Sequence, residues 1–234
     1  MLKVEKKKKN RIKILYIVFF VILFLEFLGA LLGLFTGSAE TNNAAASNIF
    51  LIIITAIVII IPWRIEVSYK IDIPDILEFI LLVMLFIAVV LGFLHDYYVD
   101  VQGFDKLTHT LSGVTIALLS FQTIVFLNRY EKVSLTMGPG VTSIFSFTFA
   151  MTLLVIWEFY EFLVDTIMYN INNNTGSNMQ RYQWVNDSLS FPQDYGLYDT
   201  MIDLFVGAFG AFLVALVGYF IIRKQKANNS KLAE

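Results

Sequence analysis

The stretch Ala44-Ala-Ala-Ser-Asn-Ile-Phe-Leu-Ile-Ile-Ile-Thr-Ala-Ile-Val-Ile-Ile-Ile-Pro-Trp63 decides the fold class. It carries no charge and has the length, about 20 residues, that an α-helix needs to cross a hydrocarbon core of about 30 Å. Five further stretches share this character: Ile14–Phe35, Ile76–Tyr97, Leu107–Leu127, Val141–Asp165 and Thr200–Ile222. Of 234 residues, 57% are hydrophobic and only 15% charged, and the mean hydropathy is +0.70. Soluble domains carry about 25% charged residues, so this chain has too little charge to coat a soluble globule. Its 22 Phe and 11 Tyr suit lipid-facing helices with aromatic residues at the interfaces. The expected fold is an all-α, polytopic integral membrane bundle of about six transmembrane helices over residues 14–222. It is flanked by a basic N-terminal tail, residues 1–13, and a C-terminal tail, residues 223–234.

Charge and cysteine content exclude several functions. A net charge of -2 and a pI near 5.7 argue against nucleic acid as a partner. With no cysteine there is no disulfide framework, thiol nucleophile or thiolate metal site.

Orientation follows from lysine and arginine in the short loops. The N-terminal tail holds Lys3, Lys6–Lys9, Arg11 and Lys13; later basic segments hold Arg64 and Lys70, Arg129 and Lys132, and Arg223, Lys224, Lys226 and Lys231. Between them, residues 37–43 hold no cation, 95–106 only Lys106, and 169–198 only Arg181. Six helices put every basic segment, and both termini, in the cytoplasm; an odd number breaks the alternation. The apolar stretch behind the basic start is too long for a signal-peptide core, so the first helix is expected to remain uncleaved. The loop Asn170–Tyr198, rich in Asn, Ser, Gln and Tyr, is the longest outer one and reads either as a solvated linker or as a lid.

Ionisable residues inside spans are costly and mark function by default. Asp105 and His109 are four apart, as are Asp199 and Asp203, so each pair shares a helix face. Glu158, Glu161 and Asp165 fall on one stripe. In the six-span topology all of these lie in the outer leaflet, with His95 and Asp96 at the same level, and describe a polar pocket open to the outside. Simpler roles exist for single members: Asp199 as an N-cap, Asp203 against the helix dipole, Asp165 at the interface. Glu158 and Glu161 resist such readings, because two carboxylates in a span must pair, protonate or bind a cation. Glu26 could join the pocket or bond another helix; Gly29-Ala-Leu-Leu-Gly33 and the stripe Gly207, Ala211, Ala215 read as close helix packing.

The run Asp105-Lys-Leu-Thr-His109-Thr-Leu-Ser-Gly113, then Glu158-Phe-Tyr-Glu161, then Asp199-Thr-Met-Ile-Asp203 ahead of Gly207-Ala-Phe-Gly210, resembles the YjdF-like bacterial integral membrane proteins. It is more distantly similar to the VanZ-like family, over about residues 75–222. Glu161 stands where VanZ-like proteins typically carry Gln, which favours the YjdF-like branch and argues against a glycopeptide-resistance role. The resemblance implies an all-helical membrane bundle and no particular activity.

The expected function is that of an enzyme acting on a lipid or lipid-linked cell-envelope substrate, with Asp105, His109, Glu158, Glu161, Asp199 and Asp203 as candidate catalytic residues. His109, Glu161 and Asp203 are the candidate ligands for a divalent metal; imidazole with carboxylates suits Zn, Mn or Mg. Without metal, His109 could act as general base. The alternatives are a proton- or cation-coupled transporter and a non-catalytic lipid-binding envelope protein.

Overall fold

The computed structural model describes residues 2–37, 39–69, 73–129, 137–171, 179–181 and 195–232, and among these there is no strand. The helices are α1 (Leu2–Thr36), α2 (Ala39–Tyr69), α3 (Asp75–Leu85), α4 (Tyr97–Asp100), α5 (Phe104–Arg129), α6 (Pro139–Ile171) and α7 (Tyr195–Leu232). A π-helix over Phe86–Leu94 continues α3, and a 3-10 turn spans Met179–Arg181. The all-α membrane architecture is thus as expected. Five helical segments are long and apolar enough to cross a membrane: Ile12–Thr36, Ala44–Tyr69, Asp75–Leu94, Pro139–Ile167 and Gly196–Asn228. The remaining expected span, Leu107–Leu127, lies inside the 26-residue α5, which is more polar because it carries Asp105, Lys106, His109 and a series of Thr and Ser.

Helix ends have local causes. Pro74 precedes α3 with φ -58° and ψ 130°, outside helical values. After the π-helix, Asp96 takes φ 56°, a left-handed turn that asparagine and aspartate tolerate better than most residues. Gly103, at φ 77°, makes the corresponding turn into α5. Pro62 sits inside α2, where it removes a backbone donor; such helices persist when neighbours satisfy the freed carbonyl. Both expected tails are helical over most of their length. Lys, Arg, Glu and Ala are good helix formers, and no Gly or Pro interrupts α1 before Gly29. The long loop lies outside the described residues except for its ends and the turn Met179–Arg181.

The chain divides into two compact units, Met1–Tyr97 and Tyr98–Glu234. The first is held by large apolar side chains: Ile12, Phe19, Leu23, Ile52, Ile59, Leu82 and Val90 form its core, with Phe86 edge-on to Phe19 at 6.2 Å between ring centroids. Its GxxxG pattern packs closely at one glycine only. A Cβ on Gly33 would meet Ala45 Cβ at 3.5 Å, whereas Gly29 has nothing within 4 Å and lines an open cleft of about 310 Å³ with Glu26 and Asn48.

The second unit is α5, α6 and α7 packed against one another. Its core is small: Ala117, Ala150 and Ala211, one from each helix, have no exposed surface. Small residues let α5 and α7 touch through their backbones. A Cβ on Gly113 would strike the Gly207 carbonyl, and one on Gly210 the Thr110 carbonyl. The large apolar residues of both units point outward instead; Phe35 is 81% exposed and Phe205 64%, a surface suited to lipid and not to water.

Candidate functional site

The three helices of the second unit bring six ionisable side chains into one buried cluster: Asp105, His109, Glu158, Glu161, Asp199 and Asp203. The local sequence prepares each contribution. Asp105, Lys106 and His109 open α5, and the hydroxyls of Thr108, Thr110 and Ser112 turn back onto carbonyls of their own helix, Thr108 Oγ1 to Asp105 O at 2.7 Å. They therefore leave the cluster to its charges. Glu158 and Glu161 are one turn apart on α6, and Asp199 and Asp203 one turn apart on α7. Gly113 and Gly207 each follow a cluster residue, His109 and Asp203, by four positions. The backbone contact of α5 and α7 thus sits one turn beneath the cluster and fixes the spacing above it.

Lys106 organises one side. Its Nζ donates to Asp105 Oδ2 at 2.9 Å, to Asp203 Oδ2 at 2.6 Å and to Asp199 Oδ1. Asp199 and Asp203 are therefore not a cap and a dipole partner; α7 begins at Tyr195, and both carboxylates grip the ammonium from α5. His109 stands between this side and the other. Its Nε2 is 3.5 Å from Asp105 Oδ1 and 4.0 Å from Asp203 Oδ1; its Nδ1 is 3.7 Å from Glu158 Oε1. Glu161 is oriented by its own helix, with Trp157 Nε1 donating to Oε1 at 2.7 Å.

Two sets of ligand-type atoms lie within 4.8 Å of one another: Asp105, His109 and Asp203, and His109, Glu158 and Glu161. His109, Glu161 and Asp203, the ligands expected from sequence, are thus all in the cluster but divided between two sets that share His109. Both oxygens of Glu158 and Oδ1 of Asp203 are buried without a hydrogen bond. Among the described residues, five carboxyl groups face one ammonium and one imidazole in a buried volume, and the excess negative charge has to be offset by protons or a cation. The donor set, one imidazole with carboxylates and no thiolate, fits a hard or borderline divalent ion.

Other expected members are elsewhere. Asp165 accepts from the backbone N–H groups of Met179 at 3.0 Å and Gln180 at 3.1 Å, and Gln180 Nε2 donates to Thr200 Oγ1 at 3.0 Å. It anchors the 3-10 turn to α6, while Gln180 ties that turn to α7. His95 belongs to the first unit, where its Nε2 lies 3.0 Å from Glu26 Oε1. Sequence reasoning named Lys106 only as a cation of an otherwise cation-poor segment, gave Trp157 no role, and met Gly113 and Gly210 only as the ends of motif runs. For Lys106 a signal was present: it lies three residues before His109, on the same face. For Gly113 and Gly210 none was, because a helical glycine shows its partner only once the crossing is known.

The match to the family described as predicted membrane protein (DUF2238) covers residues 19–224, and the chain belongs to that family, which is the YjdF-like family of the motifs above. No curated protein and no solved structure shows a significant match.

Proposed function

We propose that α5, α6 and α7 form a one-sided pocket in the outer leaflet of the bacterial cytoplasmic membrane, where a metal-dependent enzyme acts on a lipid or lipid-linked cell-envelope substrate. One observation supports this reading: a layer of three fully buried alanines lies beneath the buried ionisable cluster. Ala117, Ala150 and Ala211 each stand eight residues along their helix from His109, Glu158 and Asp203, about 12 Å below them, and are fully buried. A pocket reached from one side and sealed beneath suits chemistry on a substrate that arrives laterally in the same leaflet. The distant likeness to the VanZ-like family, carried by Asp105-Lys106-x-x-His109, is compatible with an envelope role.

Orientation in this reading rests on the basic segments. With α5 as the sixth span, Arg129, Lys132 and the C-terminal cations fall on one side with the N-terminal lysines. Single cysteines at Ser38, Ser177 and Ser230 test it in this cysteine-free chain. Impermeant thiol reagent on intact cells should label the first two and spare the third; labelling at Ser230 refutes the topology.

A bound divalent ion would polarise a phosphoryl or carbonyl oxygen and activate water. Around it, His109 would hold the ion through a ring nitrogen, Glu161 is held in place by Trp157, and Lys106 balances the aspartates. The decisive experiment is turnover of bacterial lipid extract by the purified protein in nanodiscs, with and without chelator. Chelator-sensitive conversion supports the reading; conversion that survives both chelation and His109→Ala overturns it.

Buried hydroxyls beyond the alanine layer, Ser120, Ser143 and Ser146, have no hydrogen-bond partner and favour the transporter alternative, since a path would pass them. Proton or cation uptake into proteoliposomes, abolished by Ala150→Leu, would establish that alternative instead.

A further inference from the structure

The two sets of candidate ligands around His109 are not equivalent, and the difference assigns the ion a place. On the Nε2 side the carboxylates already have a cation: Lys106 reaches Asp105, Asp199 and Asp203 together. On the Nδ1 side there is none among the described residues. Glu158 is only 4% exposed, yet among the described residues neither of its oxygens has a partner within hydrogen-bond distance, and Oε1 points at His109 Nδ1 across 3.7 Å. Glu161 completes that side, one oxygen taken by Trp157 and the other left over. A carboxylate buried without a partner is among the most expensive groups a folded chain can hold. A metal-bound imidazole ordinarily gives its second nitrogen to a carboxylate, and Asp105 Oδ1 stands beside Nε2 for that purpose.

We infer that one divalent cation binds between His109 Nδ1, Glu158 and Glu161, and that Lys106 is a built-in counter-cation that keeps the ion off the Asp105, Asp199 and Asp203 side. This rests on the metal-dependent reading above and corrects its ligand set: Glu158 replaces Asp203. The positive charge of Lys106 makes the nearer aspartates a poor second site, so the pocket holds a single ion and leaves Asp203 Oδ1 facing His109 as a proton partner rather than a ligand.

Mn²⁺ is the probe, titrated into the full-length protein in detergent and counted by its free-ion EPR signal. Wild type should bind one ion per chain. Glu158→Gln should weaken binding by at least about tenfold, as expected for a lost ligand. Asp203→Asn should bind as wild type does, and Lys106→Gln should take up a second ion on the vacated aspartates. Loss of the ion in Asp203→Asn with retention in Glu158→Gln puts it on the other side and overturns the inference while leaving the metal-dependent reading intact. A folded Lys106→Gln that still binds one ion overturns the counter-cation role. If that variant does not fold, the Glu158 and Asp203 pair decides the ligand set, and a wild type that binds two ions per chain overturns the counter-cation role. Wild type that binds no Mn²⁺ refutes both statements, whereas a bound ion with chelator-insensitive turnover refutes only the enzymatic reading.

Discussion

The two units solve helix packing in opposite ways. In Met1–Tyr97 large side chains fill the space between helices; the pair Glu26 with His95 is 30% and 50% exposed, and Glu78 is buried. In Tyr98–Glu234 the helices meet on Gly and Ala, and the ionisable groups are buried; Asp203 is 1% exposed. A core of Ile, Leu and Phe can adjust by small shifts of many side chains. A crossing made of backbone against backbone cannot, and that rigidity is what holds several carboxylates, an ammonium and an imidazole at fixed separations. The second unit gathers its buried ionisable groups at one place, whereas the first, among the described residues, buries Glu78 alone.

The comparison breaks most sharply at Lys106. Lys106→Met leaves three buried carboxylates without their cation, and removing one partner of a buried pair typically costs roughly 3–5 kcal/mol. We expect the largest drop in melting temperature here, partly restored by acidic buffer, which protonates the abandoned carboxylates. A variant that melts like wild type at neutral pH would show that the ammonium is not what balances the aspartates.

Next come the glycines. Gly113→Leu drives a side chain into the α7 backbone, where no rotamer change gives relief, and should cost at least the upper end of the roughly 1–3 kcal/mol seen for overpacking. Gly29→Leu enters an open cleft and should be nearly neutral. Yield of monodisperse protein and melting in detergent measure both; equal damage at the two sites would erase the distinction between the units.

This contrast also marks how far the sequence could be read. Five of the expected spans were legible because a helix needs an apolar run of about 20 residues to cross a membrane, and these runs stand out in the sequence. The cluster was legible because ionisable residues in such runs are rare and fell at one-turn spacings: Asp105 with His109, Glu158 with Glu161, Asp199 with Asp203. The pairing inside it was not, since spacing gives a shared face but not which atom of His109 meets which helix. Nor could a glycine reveal its role alone: Gly29 and Gly33 form the better-known motif, yet Gly113 and Gly210 make the tight crossing. Asp165 fell on the Glu158–Glu161 stripe but is claimed by the backbone of Met179 and Gln180, which no pattern within α6 announces.

That anchor supplies a smaller effect. Asp165→Asn keeps one acceptor oxygen of two, so one backbone N–H of the turn loses its partner, worth about 0.5–1.5 kcal/mol. Amide exchange at Met179 and Gln180 should quicken while Mn²⁺ binding stays unchanged. Exchange that stays slow would show that Gln180 and Thr200 hold the turn by themselves.

The smallest expected effect is at the chain's other histidine, and it sharpens the comparison furthest. His95 shares residue type, sequence neighbourhood of acids and expected membrane depth with His109, although the sequence places only His109 among the candidate site residues. Their surroundings differ. His95 ends the π-helix and meets Glu26 at 3.0 Å with half its side chain exposed. Exposed ion pairs contribute about 0–1 kcal/mol, because water and mobile ions screen them and fixing the two side chains costs entropy. His109 is 6% exposed and faces carboxylates from all three helices of its unit. His95→Gln should therefore shift melting by less than about 1 kcal/mol equivalent and leave turnover and Mn²⁺ stoichiometry as in wild type. His109→Gln should remove both functions while the fold survives, since the amide can still bond a neighbouring carboxylate. If His95→Gln abolishes turnover as His109→Gln does, the pocket is not confined to α5, α6 and α7. The first unit would then have to be counted as part of the functional site, and not only as the less demanding half of the membrane domain.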